Sequence, residues 1–168
     1  MSVTRKVAYA VVLAAIAIAL SPLSIPIGGA KIYPWQSAVN VIAGVVVGPW
    51  YALVVALVAA ITRNAIGTGT LFAFPGSIIG AVLAGLIYKY TRNVYLAALG
   101  EIAGTGIIAA VFSTAIWAPA VMSKHMEALA LVVPFLAAAI PGAIIGVIGA
   151  TILGRAGLVS IGRVRKQA

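Results

Sequence analysis

Six apolar runs, separated by short polar or proline-containing segments, make up almost the whole chain. Arg5 and Lys6 stand ahead of a first run over 7–23, which finishes in Ser21-Pro22 with Pro26 just beyond. A loop from Ile25 to Gln36 then carries Gly28-Gly29, Lys31, Tyr33, Pro34 and Trp35. The second run, 37–47, is short: about 11 residues rise only ~17 Å as helix, roughly half a bilayer. Gly48-Pro49 separates it from a third run over 50–63, closed by Arg63-Asn64 and the polar loop Gly67-Thr68-Gly69-Thr70. A fourth run, 75–89, ends at Lys89 and Arg92. A fifth, 94–117, contains Glu101 and leads into a loop with Pro119, Lys124, His125 and Glu127. The sixth, 128–154, is interrupted by Pro134 and Pro141 and ends at Arg155. A spanning helix takes roughly 20 apolar residues, so six fit this length and seven leave almost no loops. The expected fold is all-α, a polytopic membrane bundle of six helices in a single domain over 1–168. The first run lacks a clear cleavage site and is read as a retained helix, not a signal peptide.

Composition sharpens this picture. The 168 residues are 64% hydrophobic and 8% charged, with a mean hydropathy of +1.20. A soluble domain is roughly a quarter charged. The only acids are Glu101 and Glu127, the only imidazole is His125, and there is no Cys. That scarcity excludes most hydrolytic, metal-dependent and acid–base chemistry, together with disulfides and thiolate nucleophiles. No cofactor or metal site is expected, and enzyme readings are poor. The net charge of +9 is scattered at the ends of apolar runs, whereas a nucleic-acid binder gathers its cations on one polar face.

Those cations read as topology markers. With the amino terminus inside, Arg5, Lys6, Lys89, Arg92, Arg155, Arg163, Arg165 and Lys166 are cytoplasmic, and only Lys31, Arg63 and Lys124 lie outside. Both termini are therefore expected in the cytoplasm. Tyr88, Tyr90 and Tyr95 fall at the inner interface and Tyr33, Trp35 and Trp117 at the outer one, as aromatic belts. Pro75-Gly76-Ser77-Ile78-Ile79-Gly80 is similar to Pro141-Gly142-Ala143-Ile144-Ile145-Gly146, with no extended match around them. Such a segment suits membrane helices generally, so the pair is weak support for a duplication.

Polar groups crowd the outer half: Lys31, Tyr33, Trp35, Gln36, Asn40, Arg63, Asn64, Thr68, Thr70, Ser77 and Trp117. A short helix stopping mid-membrane beneath an outer loop leaves room for a pocket open to the outside, because irregular backbone at that depth is tolerated where it lines a cavity. Aromatic rings with a few hydrogen-bonding groups describe a site for a small, flat, polar molecule. The same tryptophans would also serve as interface anchors. Glu101 and Arg63 are the sharper signals, since an ionisable residue inside a span normally faces the bundle interior with a partner. Glu101 is read either as a structural tie or as a substrate contact, and Gly100 and Gly104 beside it favour close helix contact. The first run carries small residues at spacing four, Ala10 and Ala14, then Ala15 and Ala19. No G-x-x-x-x-G-K-[ST] occurs, so ATP hydrolysis through a P-loop is excluded and any energy for transport comes from a partner.

Lys31-Ile32-Tyr33-Pro34-Trp35-Gln36, Asn40-Val41-Ile42-Ala43 and Gly48-Pro49-Trp50-Tyr51 together resemble the ThiW type of substrate-binding (S) component from energy-coupling-factor (ECF) transporters. So do Arg63-Asn64, Gly67-Thr68-Gly69-Thr70, Phe74-Pro75-Gly76-Ser77 and Gly100-Glu101-Ile102-Ala103-Gly104-Thr105-Gly106, the likeness running from about residue 7 to 155. The resemblance implies a six-helix S-component fold binding hydroxyethylthiazole, the thiazole half of thiamine, on its outer side. It also implies a transmembrane T component and two cytoplasmic ATPases as partners, with Ala10 and Ala14 as the stripe that meets the T component. Ala15 and Ala19 are a second possible stripe.

The expected binding set is Lys31, Tyr33, Trp35, Gln36, Asn40, Arg63, Asn64, Thr68, Thr70, Phe74, Ser77, Glu101, Thr105 and Trp117. Tyr33 or Trp35 would stack on the ring. Gln36, Asn40, Arg63 and Asn64 would bond its nitrogen or hydroxyl, and Thr68, Thr70 and Ser77 would line the mouth. The cations suit a neutral or anionic ligand better than thiamine. The alternatives are the pyrimidine precursor, thiamine or another small heterocycle, and, in a different class, a stand-alone secondary carrier using Glu101 or a structural membrane subunit.

Overall fold

The structure, a computed structural model, describes residues 1–27, 30–123, 127 and 129–159, with residues 26, 27, 30 and 31 described by backbone alone. Lys124, His125, Arg163, Arg165, Lys166 and the side chain of Lys31 lie outside the described residues. Six helices carry the described fold: α1 Val3–Ala19, α2 Pro34–Val46, α3 Pro49–Ala65, α4 Ala73–Thr91, α5 Val94–Met122 and α6 Leu129–Arg155. The last three are long and apolar enough to cross a membrane.

The helix ends differ from the runs for identifiable reasons. α1 stops at Ala19 because Ser21 precedes Pro22, and a residue before proline is driven away from helical backbone. α2 and α3 each start on a proline, whose missing N–H is no loss in a first turn, so Pro34-Trp35-Gln36 is helix where loop is expected. α4 closes on Arg92 in the left-handed conformation at φ 55°. α5 runs five residues beyond the expected end at 117. It widens to π spacing over Gly104–Ala109 and Ser113–Trp117, the second just ahead of Pro119, which has no N–H for the carbonyl of Ala115. Part of the expected first loop is a short antiparallel hairpin, β1 Ile25–Ile27 with β2 Ala30–Ile32, pairing Ile25 with Ile32.

α2 lies at the centre, packed on α6, α4, α3, α1 and α5, and nearly every residue in it is buried. Close packing here rests on small residues, as in membrane helices generally. Ala52, Ala56 and Ala59 of α3 meet Ala10, Leu13, Ala14 and Ala17 of α1 in one apolar cluster. At the opposite end from the hairpin, a side chain on Gly44 would collide with the Gly85 backbone and one on Gly85 with Pro49.

The starting level of α2 creates the site. Gly142 of α6 lies against the Pro34 carbonyl and Ser37, and it stands about 20 Å along α6 from Leu129 at 1.5 Å per residue. α2 therefore begins near the middle of the bundle. The space above its first turn is left to the hairpin, the α3–α4 loop and the early turns of α6.

The two alanine pairs of α1 differ in exposure. Ala10 and Ala14, the expected stripe, are buried at 8% and 7% exposure within the chain's own core. Ala15 and Ala19, the second possible stripe, are exposed, as is Ala8.

Candidate functional site

A cavity of about 510 Å³ occupies that space, within the range of roughly 300–1,000 Å³ usual for small-molecule sites. Its polar wall comes from Tyr33, Gln36, Ser37 and Asn40 around the start of α2, Arg63 from the end of α3, Ser77 from α4 and Thr105 from the first π turn of α5. Thr70 and Phe72 close it from the α3–α4 connection, with Ala73 from the start of α4 and Ile32 from the hairpin. The opposite wall is apolar and belongs to α6. Ala130, Pro134 and Ala138 fall at spacing four, alongside Leu131 and Phe135 on the same face.

A line of hydrogen bonds runs through the polar wall into the bundle. Arg63 Nη1 donates to Gln36 Oε1 at 3.0 Å, and Gln36 Nε2 donates to Asn40 Oδ1 at 3.1 Å. Asn40 Nδ2 donates to Glu101 Oε1 at 3.0 Å and to the Ser77 carbonyl at 3.2 Å. Thr105 Oγ1 lies 3.0 Å from the same Glu101 oxygen and 2.9 Å from the Gly76 carbonyl, so its single proton serves one of them at a time. Arg63 also stacks over Tyr33, its Cζ 4.4 Å from the ring centre. Glu101 and Asn40 are 0% and 1% exposed, among the largest fully buried side chains of a core built mostly from alanine and valine. Arg63 and Glu101 thus share one network but are joined through Gln36 and Asn40.

Burying a polar group without a partner costs about 1–3 kcal/mol, so such a line is maintained only if its members satisfy one another. Two atoms in it are unsatisfied, Arg63 Nε and Glu101 Oε2. The first belongs to a residue that lines the cavity, although the atom itself is buried.

The cavity gathers Tyr33, Gln36, Asn40, Arg63, Thr70, Ser77 and Thr105 from the expected set. Glu101 lies behind Asn40 and Thr105, outside the lining. The remaining described members hold the surrounding loops. Trp35 Nε1 donates to the Leu23 carbonyl at 2.9 Å, tying the approach to the hairpin onto α2. Thr68 pairs with Ser21 at 2.9 Å, and Asn64 Nδ2 donates to the Ala60 and Thr70 carbonyls at 2.8 and 3.1 Å. Gly67, at φ +75°, makes the turn that this loop requires. Trp117 donates to the Leu71 carbonyl at 3.1 Å and packs on Phe74 with ring centres 6.1 Å apart. Sequence reasoning missed Ser37 and the whole α6 wall. The available signal for that wall was Pro134 interrupting the sixth run.

A family model described as thiamine-precursor transporter protein (ThiW) matches residues 7–156. The chain belongs to the ThiW family. No curated protein and no solved structure matches it. For a ThiW member, the matched span includes every residue of the polar wall and the α6 wall, so the cavity lies wholly inside the family region. Transport of a thiamine precursor is what the family name describes, and the long apolar helices agree with a membrane protein.

Proposed function

We propose that this chain is the S component of an ECF importer in the cell membrane, spanning it several times with both termini cytoplasmic. Its cavity takes hydroxyethylthiazole from the outer side, and the chain itself catalyses no reaction. The observation that carries this reading is the pairing of one polar wall, Arg63–Gln36–Asn40, with one apolar wall from α6 across a space sized for a small molecule. A flat, weakly polar heterocycle with a short hydroxylated arm uses both walls, burying its carbon skeleton against Leu131 and Phe135 and bonding its heteroatoms opposite. No P-loop occurs in the sequence, which supports energy supplied by a T component and two ATPases.

The test is calorimetric titration of the purified chain with hydroxyethylthiazole, thiamine and the pyrimidine precursor in competition. Saturable binding strongest for the thiazole is expected. No heat at high micromolar thiazole, or preference for another of the three, overturns the ligand assignment. Glu101, with its unsatisfied Oε2, favours one further reading, a proton-driven carrier. Liposomes holding only this chain are expected to bind the precursor without accumulating it. Uptake driven by a proton gradient and lost in Glu101→Gln would establish the carrier instead.

A further inference from the structure

The hydrogen-bond donors and acceptors facing the cavity are sorted, and the ends of the buried line dictate the sorting. Arg63 can only donate, whereas the Ser77 carbonyl and the Glu101 oxygen that receive Asn40 act as acceptors. The two amides between them therefore have a single self-consistent orientation. Gln36 must turn Oε1 to Arg63 and Nε2 to Asn40, while Asn40 keeps Nδ2 for Ser77 and Glu101. At this end the hydrogens left for a ligand are the second one of Gln36 Nε2 and those of the Arg63 guanidinium not given to Gln36, while Gln36 Oε1, already accepting from Arg63, keeps one lone pair beside that cation. The other end is the reverse. Ser77 Oγ donates to the Ala73 carbonyl at 2.6 Å, and Thr105 commits its proton to Gly76 or Glu101. Both hydroxyls are left with lone pairs to offer. Ser37 hydrogen-bonds the Glu101 carboxyl and Tyr33 hydrogen-bonds Arg63, whereas the Thr70 hydroxyl serves either way.

We propose that the cavity selects its ligand by polarity: an uncharged ring bearing an acceptor for the Arg63–Gln36 end and a hydroxyl donor for the Ser77–Thr105 end, with Gln36 setting the polarity of the donor end. This rests on the cavity being the ligand site. A cationic ring is rejected by Arg63, and a ring presenting amino hydrogens to the same end leaves donors facing donors, with both sides desolvated. The carboxyl of Glu101 acts at a distance as a positioning group. It holds Asn40, which holds Gln36, and the oxygen that receives Asn40 is an acceptor whether or not the other oxygen carries a proton.

The experiment titrates the purified full chain with three probes: hydroxyethylthiazole, its N-methylated thiazolium salt, and the ethyl analogue without the hydroxyl. The salt and the ethyl analogue are each expected to bind about tenfold or more weakly than hydroxyethylthiazole, the loss that follows from one unmade hydrogen bond in a dry site. Gln36→Glu replaces the donor by a carboxylate beside Arg63. It is expected to raise the ratio of thiazolium to thiazole affinity by about tenfold or more, a change of sign that loosened packing would not produce. Binding of all three probes by the unmodified protein within about twofold overturns the inference, and so does an unchanged ratio in the folded variant. The probe series on the unmodified chain decides alone if the variant does not fold. No binding of hydroxyethylthiazole at all overturns the ligand-site reading and this inference with it, whereas binding without discrimination overturns this inference only.

Discussion

Asn40 donates to Glu101 Oε1 and to the Ser77 carbonyl while accepting from Gln36, so one 1%-exposed amide ties α2 to both α4 and α5. Asn40→Leu keeps the approximate shape and removes all three bonds. It strands the Gln36 Nε2 hydrogen and leaves Glu101 to Thr105 and Ser37. Each stranded group costs about 1–3 kcal/mol, so a loss of about 2–4 kcal/mol is expected, read as a lowered midpoint of denaturation in detergent. An unchanged midpoint would mean that the line of bonds carries no stability. At this scale the sequence exposes polar residues inside apolar runs, because their burial is costly enough to require a partner. That is why Asn40, Arg63, Ser77 and Glu101 are legible. It does not say which wall a polar side chain faces. Trp35, Asn64 and Thr68 carry hydrogen-bonding groups as Gln36 does, yet they bond backbone and loop neighbours rather than line the cavity. Leu131 and Phe135 are the converse case, since an apolar side chain facing a cavity has the same chemistry as one facing lipid.

Helices here touch through glycines, and the position of each glycine decides what a methyl group would disturb. A Cβ on Gly85 would lie 2.5 Å from Pro49 Cα, far from the cavity, whereas one on Gly142 would strike the Pro34 carbonyl and Ser37 at the first turn of α2. Both Gly85→Ala and Gly142→Ala overpack a close contact, which typically costs about 1–3 kcal/mol. Only Gly142→Ala also displaces the floor on which Ser37, a lining residue, and the Gln36–Asn40 pair stand. Thermal midpoints are expected to fall in both variants, with precursor affinity reduced about tenfold or more in Gly142→Ala alone. Equal affinities would show that the level of α2 does not control the cavity. The elements themselves are largely legible, because run length and proline punctuation separate six helices. The hairpin is not, since its strands are three residues each and carry no period. Nor are the π turns of α5, because apolar composition is the same at α and π spacing.

Across the whole molecule, charge and cavity point in one direction. Arg5, Lys6, Lys89, Arg92 and Arg155 flank the ends of α1, α4, α5 and α6, and the cavity lies at the other end beside the hairpin. If cations mark the cytoplasmic side, the cavity faces outward, as an importer's binding subunit requires. The chain has no Cys, so any introduced thiol is a unique reporter. Ile66, in the α3–α4 loop, and Tyr90, near the cationic end of α4, are 56% and 78% exposed, and neither touches the polar line. In intact cells a membrane-impermeant maleimide is expected to label Ile66→Cys and spare Tyr90→Cys. After the membrane is opened, both are expected to react. Both variants should retain precursor binding, because neither residue lines the cavity. The reverse pattern, with Tyr90→Cys labelled in intact cells, would turn the bundle over and leave the cavity facing the cytoplasm. Capture from the medium would then be impossible in this conformation, and the importer reading would fall while the ligand site itself survived.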